Sequence, residues 1–221
     1  MKFEKTEVWG FEHALRGMRN PKESWNKSDS IILMEQNENK DFVEVPKIGK
    51  NDLELAQRLI KAGSEHRKFM RQIFVSVDIT APLYWWKEFD TYKVGTVANS
   101  TSTMHKLAST PITLDCFEMV DFEIIPIDER SNNERFWSIL IEKLEFLRIM
   151  YNGTKDKRYW KELIRLLPES WLQTRTISMN YENLLTMVKQ RRNHKLTEWS
   201  IDFISWCRSL PYAEELLFLG E

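Results

Sequence analysis

Cysteine and histidine are scarce in this chain and are widely spaced. Its 221 residues include two cysteines and four histidines. Two thiols are too few for a disulfide framework or a four-thiolate zinc site, and the histidines lack the i,i+4 spacing and cysteine neighbours of zinc motifs. These absences predict that the protein binds no metal and works in a reducing, cytoplasmic compartment.

Glycine is also sparse, which excludes the common phosphate-binding loops. The seven glycines are never closer than seven residues apart, so neither a GxGxxG fingerprint nor a Walker loop can be written anywhere. Any phosphate must therefore be held by side chains or helix ends. Neither cysteine lies in a nucleophile signature and the sequence has no GxSxG elbow, so any chemistry is expected to depend on an external cofactor.

The chain has no excess of charge of either sign and no long apolar run. It has 32 Lys and Arg against 33 Asp and Glu, for a net charge of -1. Nucleic-acid binding is therefore not expected, because neutralising phosphates dominates that affinity. The N-terminal stretch has no apolar run of signal-peptide length, and no stretch approaches the roughly 18 apolar residues of a membrane span. We expect no membrane association.

The composition does provide for a hydrophobic core. Hydrophobic residues make up 42% of the 26.5 kDa chain, which has neither an internal repeat nor a low-complexity tract. These properties predict one domain over residues 1–221. The most polar stretch, at residues 36–41, is expected to form a loop or a hairpin tip.

Local patterns predict a helix-rich α+β fold whose strands lie mostly in the first half. Asn51 or Asp52 can cap a helix that runs through Ile60, with Gly63 as its left-handed stop. Residues 71–79 then alternate apolar and polar side chains, which predicts a strand with one buried face.

A short aromatic helix is expected directly after this strand. Thr80 and Pro82 indicate its start, because threonine can cap a helix and proline is tolerated in the first turn. The segment 83–92 continues the helix. Its Trp85 and Trp86 are either core residues or stacking partners for a ring.

The second half of the sequence is mostly helical in pattern. Ser131 and Glu134 match a capping box ahead of a helix that Asn152 and Gly153 are expected to stop. Further helical patterns cover residues 159–167, 181–192, 196–209 and 212–219.

Two segments resemble the flavin-dependent thymidylate synthases. The first contains a helix preceding SEH at residues 64–66, then a strand, then TAPLYWWKEFDTYKVGTVANSTST to residue 103. The family signature RHRxxSxNxxSxR falls, without a gap, on Thr91, Tyr92, Lys93, Thr96, Ala98, Thr101 and Thr103. Lys93 keeps a basic charge and two positions keep hydroxyls, whereas Thr91 and Thr103 stand where the family has arginines.

The second segment, residues 166–199, resembles the family's closing segment. It has a Leu-Pro, an Asn that opens a helix, an Arg eleven residues later, and a run containing His194 and Glu198. Eleven residues at about 100° each make three turns plus about 20°, so Asn180 and Arg191 lie on one helix face about 16 Å apart. One ligand complex can touch both. His194 comes one residue earlier than the family's histidine, so no role is carried over to it.

The resemblance implies a fold, an activity and an assembly. The fold is α+β, helix-rich, with a mainly antiparallel sheet. The activity is reductive methylation of a deoxyuridine-type nucleotide monophosphate, with FAD as cofactor and reduced nicotinamide and methylene tetrahydrofolate as co-substrates. The assembly is a homotetramer with shared active sites.

The resemblance also implies roles for individual residues. Arg191 would be the catalytic residue that orients the uracil ring and phosphate, with Arg192 as the alternative match. FAD would be bound by His66, Thr91, Tyr92, Lys93, Thr96 and Asn180, with the tract from Lys93 to Thr103 on its phosphates. The pyrimidine nucleotide would be bound by Lys93, Thr101, Ser102, Thr103 and Arg191.

Each of these residues has a structural interpretation as well. Arg191 can be a solvated cation at a helix C-terminus, Asn180 a helix N-cap, and His66 a surface residue. The hydroxyls between residues 93 and 105 can cap their own backbone in an irregular loop. A charged hydrogen bond contributes about 1.5–3 kcal/mol, so the loss of two arginines predicts weaker ligand affinity.

Two further functions are consistent with these patterns. One is a non-catalytic descendant of the same fold, serving as a nucleotide-binding or structural module after the signature arginines were lost. The other is single-stranded nucleic-acid binding through Trp and basic residues, which the net charge of -1 disfavours.

Overall fold

Six β-strands form a four-stranded sheet and a separate hairpin in the computed structural model, which describes residues 1–36, 40–119 and 127–220. The strands are β1 (Lys2–Trp9), β2 (Ile31–Gln36), β3 (Phe42–Lys47), β4 (Phe74–Pro82), β5 (Val97–Ser100) and β6 (Leu172–Asn180). The sheet order is β1-β4-β6-β5, with every pair antiparallel, and β2 pairs with β3.

Helices occupy most of the remaining described chain. They are α1 (Phe11–Arg19), α2 (Lys50–Ala62), α3 (Leu83–Phe89), α4 (Thr103–Lys106), α5 (Ile127–Thr154), α6 (Lys157–Leu166), α7 (Tyr181–Arg191), α8 (Ile204–Arg208) and α9 (Ala213–Leu216). A π-helical turn, Glu198–Phe203, leads directly into α8. The last four predicted helices all exist with shifted ends; the last is shortened to α9.

The alternating segment at residues 71–79 was correctly predicted as a strand. Val75, Val77 and Ile79 of β4 are fully buried, and β4 pairs along its whole length with β6. The strand begins at Phe74, because Lys68–Gln72 forms a 3-10 turn before it. The buried side chains of β4 therefore lie at the centre of the core.

The predicted cap of α2 was wrong, whereas the helix and the position of its stop were right and the left-handed conformation expected at that stop was not found. Asn51 and Asp52 lie inside the helix, and Asp29 accepts both of their backbone N–H groups at 2.9 and 3.1 Å. Asp52 is instead buried against Arg19, with 2.5 Å between Asp52 Oδ1 and Arg19 Nε. Gly63 ends the helix with φ 108° and ψ -178°, a positive φ outside the left-handed helical region.

Two other predicted helix boundaries were also wrong. Thr80 remains in β4, where its hydroxyl lies 2.7 Å from that of Thr174, and α3 starts after Pro82. Ser131 lies within α5, and the helix runs past Gly153 to Thr154. Both errors arise because local capping signals are overridden by longer hydrogen-bonded elements. The predicted tip at residues 36–41 joins the paired β2 and β3, and its residues 37–39 lie outside the described residues.

Buried apolar side chains form two clusters. The larger packs the sheet against α1, α2, α3, α7 and the C-terminal helices, and it contains Trp85 and Trp86, which are 0% and 1% exposed. Trp85 and Trp86 are therefore core residues, and their alternative role as stacking partners for a ring is wrong for this structure. The smaller cluster lies between α5, α6 and residues 107–117, around Leu144 and Leu163.

Candidate functional site

The N-terminus of α7 is held by a reciprocal capping box. The Asn180 side-chain oxygen accepts the Asn183 backbone N–H at 3.0 Å, and Asn183 Oδ1 accepts the Asn180 backbone N–H at 3.1 Å. Asn183 Nδ2 also donates to the Val94 carbonyl at 2.7 Å. The structural interpretation of Asn180 as an N-cap is therefore confirmed, and its amide Nδ2 is left for a further contact.

Gly95 allows the loop before β5 to approach this capping box closely. Its φ is 79°, and a Cβ built on it would lie 3.0 Å from Asn183 Oδ1 and 3.2 Å from Asn180 Nδ2. A larger residue would be strained by its φ and would press on both asparagines. The sequence segments that carry the two halves of the family resemblance thus meet at Gly95.

Arg191, at the other end of α7, is enclosed by aromatic rings and a carboxylate. Its Nε donates to the Tyr92 hydroxyl at 2.8 Å, and its guanidinium carbon lies 5.4 Å from the Tyr92 ring centre and 4.9 Å from that of Trp199. Nη1 lies 3.5 Å from Glu88 Oε2. With its side chain 17% exposed, Arg191 is not the solvated cation of the structural interpretation.

Glu88 joins Arg191 to His194. Its second oxygen, Oε1, lies 3.3 Å from His194 Nε2, an ion pair when the imidazole is protonated. His194 Nδ1 accepts the Leu196 backbone N–H at 3.1 Å. The arrangement partly neutralises Arg191, so an anionic ligand at this guanidinium would compete with Glu88.

The hydroxyl groups of the signature tract, residues 91–103, fall into two sets, one with hydrogen-bond partners and one without. Thr91 and Thr96 donate to the carbonyls of Glu88 and Tyr92, and Ser102 accepts the His105 N–H at 3.2 Å as the cap of α4. These groups serve their own backbone, as the structural interpretation predicts. Within the part of the chain that the structure describes, the hydroxyls of Thr101 and Thr103 have no hydrogen-bond partner. Lys93 is exposed near the start of the tract.

His66 lies on the surface beside a cluster of charges at the first turn of α7. The neighbouring Arg67 donates to Glu182 Oε1 at 3.1 Å, and Arg71 donates to Glu182 Oε2. Burial raises the pKa of Glu182, but the hydrogen bonds from Arg71 and Arg67 outweigh it and hold that pKa below its ordinary value. His66 itself is exposed, as its structural interpretation predicts, and its role in the site stays a prediction.

Arg175 was missed by the sequence reasoning. It lies in β6, where Nη1 donates to Asp90 at 2.7 Å, Nε donates to Gln173 at 2.9 Å, and the guanidinium covers the Trp86 ring at 4.3 Å. Gln173 in turn donates to the Thr101 carbonyl at 2.8 Å. Arg175 thus contacts Asp90, directly before the signature tract, and is connected through Gln173 to Thr101 near its end. The pairing of β6 with its neighbouring strands creates these contacts.

Glu198, noted in the sequence as part of the closing segment, is buried in the core. The Tyr84 hydroxyl donates to it and lies 3.3 Å from Glu118 as well. Burial and the Glu198 carboxylate raise the pKa of Tyr84 above its ordinary value, so Tyr84 stays a donor. Glu198 thereby connects the π-helical turn to α3.

A cavity of about 420 Å³ lies elsewhere, between α1 and β2. Its lining includes Glu12, Arg16 and Trp25 and none of the predicted site residues. Among the described residues, no group of three His, Cys, Asp or Glu side chains could hold a metal ion. In the same residues, no helix is long and apolar enough to cross a membrane.

The fold is similar to that of known flavin-dependent thymidylate synthases. Two crystal structures of ThyX from Helicobacter pylori, each in complex with FAD and dUMP, match it with TM-scores of 0.66 and 0.68 at 17% identity. Both matches cover 99% of this chain and 98% of the other. No family model matches the chain, and no curated protein matches its sequence.

These structural matches confirm the fold class. A helix-rich α+β architecture with a mainly antiparallel sheet was predicted from the sequence, and the structure and its neighbours share it. At 17% identity the likeness shows the thymidylate synthase-like fold, and the roles of individual residues stay predictions.

Proposed function

We propose that this protein is a flavin-dependent thymidylate synthase-like enzyme that binds FAD and a deoxyuridine-type nucleotide monophosphate. One observation carries the proposal: residues 92–95 contact both ends of α7, through Asn183 at its start and Arg191 at its end. The two segments that resemble the family in sequence thus form one region in space. The full-length likeness to ThyX chains complexed with FAD and dUMP supports the same conclusion.

The residues present fit a flavin nucleotide through mainly neutral donors. Asn180 Nδ2, the hydroxyls of Thr101 and Thr103, and the exposed ammonium of Lys93 are the groups that would hold it, and the family resemblance adds the exposed His66. Phosphates accept hydrogen bonds from all of these types, but charged donors are the stronger ones. FAD, when bound, supplies the redox chemistry that protein side chains lack.

Arg191 is the residue we propose to orient the pyrimidine nucleotide. A guanidinium has five N–H donors, and in this structure Nε–H is committed to Tyr92 while Nη1 lies near Glu88. The remaining donors suit a phosphate or a pyrimidine carbonyl. Tyr92, Trp199 and Glu88 hold the guanidinium in place, so less side-chain freedom is lost on binding.

The proposal extends to co-substrates and assembly, which rest on the family resemblance. Reduced nicotinamide and methylene tetrahydrofolate would be the sources of the reducing equivalents and of the methylene group. A homotetramer would form each site from several chains, so that groups of another copy complete the exposed signature tract.

The alternative function is a non-catalytic nucleotide-binding or structural module. The observation that favours it is the loss of charge at the tract, where Thr91 turns its hydroxyl to the Glu88 carbonyl and Arg191 lies beside the Glu88 carboxylate. On this alternative the fold is kept while the ligand-binding donors have been lost.

Titration of the purified protein with FAD tests the proposal, followed by flavin fluorescence and visible absorbance. We expect saturable quenching in the micromolar range, weakened in Thr101→Val and Thr103→Val and unchanged in the control Thr154→Val at the end of α5. Formation of thymidylate from deoxyuridine monophosphate, methylene tetrahydrofolate and reduced nicotinamide then separates the enzyme from the module. Binding of the nucleotide without formation of product would support the non-catalytic module. The absence of quenching at high micromolar protein would contradict the proposal that the protein binds FAD.

A further inference from the structure

α5 carries an apolar surface on the side that faces away from the core. Its inner side packs through Leu144 and Leu147, which are buried in the smaller hydrophobic cluster. Four apolar side chains on the helix are nevertheless about half exposed: Phe136 at 59%, Ile139 at 56%, Phe146 at 49% and Ile149 at 56%. A helix with apolar residues on opposite sides is characteristic of one that is covered on both.

These four residues form one continuous stripe, which we call the outer α5 face. Successive helix positions are about 100° apart, so the four lie within an arc of about 140° whose centre is about 150° from Leu144 and about 90° from Leu147. Each of the two aromatic side chains has about 150–250 Å² of surface and each isoleucine somewhat less, so half exposure of the four gives on the order of 300–400 Å². That is within the size range of the largest apolar patch on an ordinary monomer, which is often functional.

The outer α5 face has the same chemistry when it is read in either direction along the helix. Phe136 and Ile149 are equally far from the midpoint between Glu142 and Lys143, and so are Ile139 and Phe146. An antiparallel copy of the helix, related by a two-fold axis through that midpoint, therefore places apolar residues opposite apolar residues. A two-fold contact uses the same patch on both copies and requires this self-complementarity.

The two charges at the midpoint are complementary in the same arrangement. Glu142 and Lys143 are both exposed and lie within the arc of the outer α5 face, one on each side of the stripe. As neighbours in sequence they do not face each other on their own helix. Lys143 lies 5.5 Å from the Phe146 ring and Glu142 accepts from Ser138, and in the described residues neither has an ion-pair partner. The two-fold axis brings Glu142 of each copy to Lys143 of the other.

We propose that the outer α5 face is a two-fold contact between two copies of this chain, with antiparallel α5 helices and two symmetric Glu142–Lys143 pairs. The inference rests on the proposed homo-oligomer and says which surface forms one of its contacts. The patch is smaller than the roughly 800 Å² per partner of a stable interface, so polar residues around it complete the contact. A parallel arrangement would place like charges together and is disfavoured.

Charge exchange tests this contact by light scattering and sedimentation at micromolar concentration. Glu142→Lys or Lys143→Glu alone places like charges across the axis, so each should halve the particle mass and raise the dissociation constant about tenfold or more. The double variant restores opposite charges and should recover the wild-type mass. Glu134→Lys on α5 and Lys161→Glu on α6 carry the same charge changes at exposed positions outside the patch and should leave the mass unchanged.

FAD titration of the same samples separates this inference from the proposed function. Wild-type protein that binds FAD as a monomer would overturn the assembly and the contact together while leaving the flavin site intact. A wild-type oligomer whose mass is unaffected by either single variant, or that the double variant fails to restore, would overturn the contact alone.

Discussion

α7 and the signature tract carry the two halves of the family resemblance, and the structure uses them differently. In α7 the matching residues are partnered: Asn180 caps the helix and Arg191 lies among Tyr92, Trp199 and Glu88. In the signature tract Lys93 is exposed, and Thr101 and Thr103 have no hydroxyl partner in the described chain. The two α7 residues that match the family therefore also stabilise the fold, whereas Lys93, which matches it in charge, is exposed.

This difference explains why fold and ligand affinity have to be tested separately. Removing an arginine whose contacts are to a ligand leaves the folded protein intact, whereas removing Asn180 or Arg191 also removes capping or packing. A sequence can thus keep the α7 half while its signature tract changes.

The largest effect is expected for Arg191→Ala in nucleotide binding. The substitution removes a guanidinium that can bind phosphate in two places, which costs about 1.5–3 kcal/mol, or roughly 10- to 150-fold in the dissociation constant for deoxyuridine monophosphate. Arg192→Ala is the control, since that residue points about 100° away around the helix axis. Calorimetry that finds equal affinities in wild type and both variants would remove Arg191 from the site.

A stability effect of about 1–2 kcal/mol is expected for Glu182→Gln, because two partly exposed ion pairs to Arg67 and Arg71 are weakened. The folded-state pKa of Glu182 is depressed, so its contribution is fully present above the unfolded-state pKa of about 4.3 and is lost as the pH falls through the folded value. Urea unfolding should show the difference at pH 7 and a smaller one in acid. Glu134→Gln, on exposed α5, should show neither, and a difference for Glu182→Gln that persists in acid would contradict the assignment.

Asn180→Ala should lower stability by about 1 kcal/mol, the usual cost of losing an N-cap, which corresponds to a fall of roughly 2–4 °C in Tm for a chain of this size. Thr101→Ala, in the signature tract, should stay within about 0.5 kcal/mol of wild type. Thermal unfolding followed by circular dichroism measures both. Equal losses would mean that the two halves are equally important for the fold.

The smallest effect is a gain of affinity in Thr103→Arg. The substitution returns one cation to the signature tract at a partly exposed position, where a charge pair contributes about 0.4–1 kcal/mol, or roughly two- to fivefold in FAD affinity. Stability should not change. A Thr103→Lys variant that behaves the same way would show that charge, and not the guanidinium fork, produces the gain, and loss of affinity in both would place the flavin elsewhere.

Burial decided which strands could be recognised from sequence. β4 alternates because one side of it faces the core, so its pattern was visible. β1 and β5 were not predicted because they are largely exposed, and exposed strands lack a regular alternation of apolar and polar residues. β6 was not predicted because Arg175 interrupts its apolar positions. The partly buried place of Arg175 depends on contacts with Trp86 and Asp90, which are distant in sequence.

Long-range contacts account for the parts of the candidate site that local patterns missed. The spacing of Asn180 and Arg191 correctly placed them at the two ends of one helix. Glu88, which partly neutralises Arg191, is separated from it by about half of the chain, and Asp29 caps α2 from a preceding loop. No local signal identifies such partners, because only the folded topology brings them together.

Hydrogen–deuterium exchange with and without FAD and deoxyuridine monophosphate tests the central difference between the two halves most directly. We expect the backbone amides of α7 to be protected already without ligand and to change little when ligand is added. Amides in the signature tract at residues 91–103 should exchange quickly without ligand and become protected when both ligands are present. Unchanged exchange in the signature tract at saturating ligand would contradict the proposal that it forms the flavin and nucleotide site.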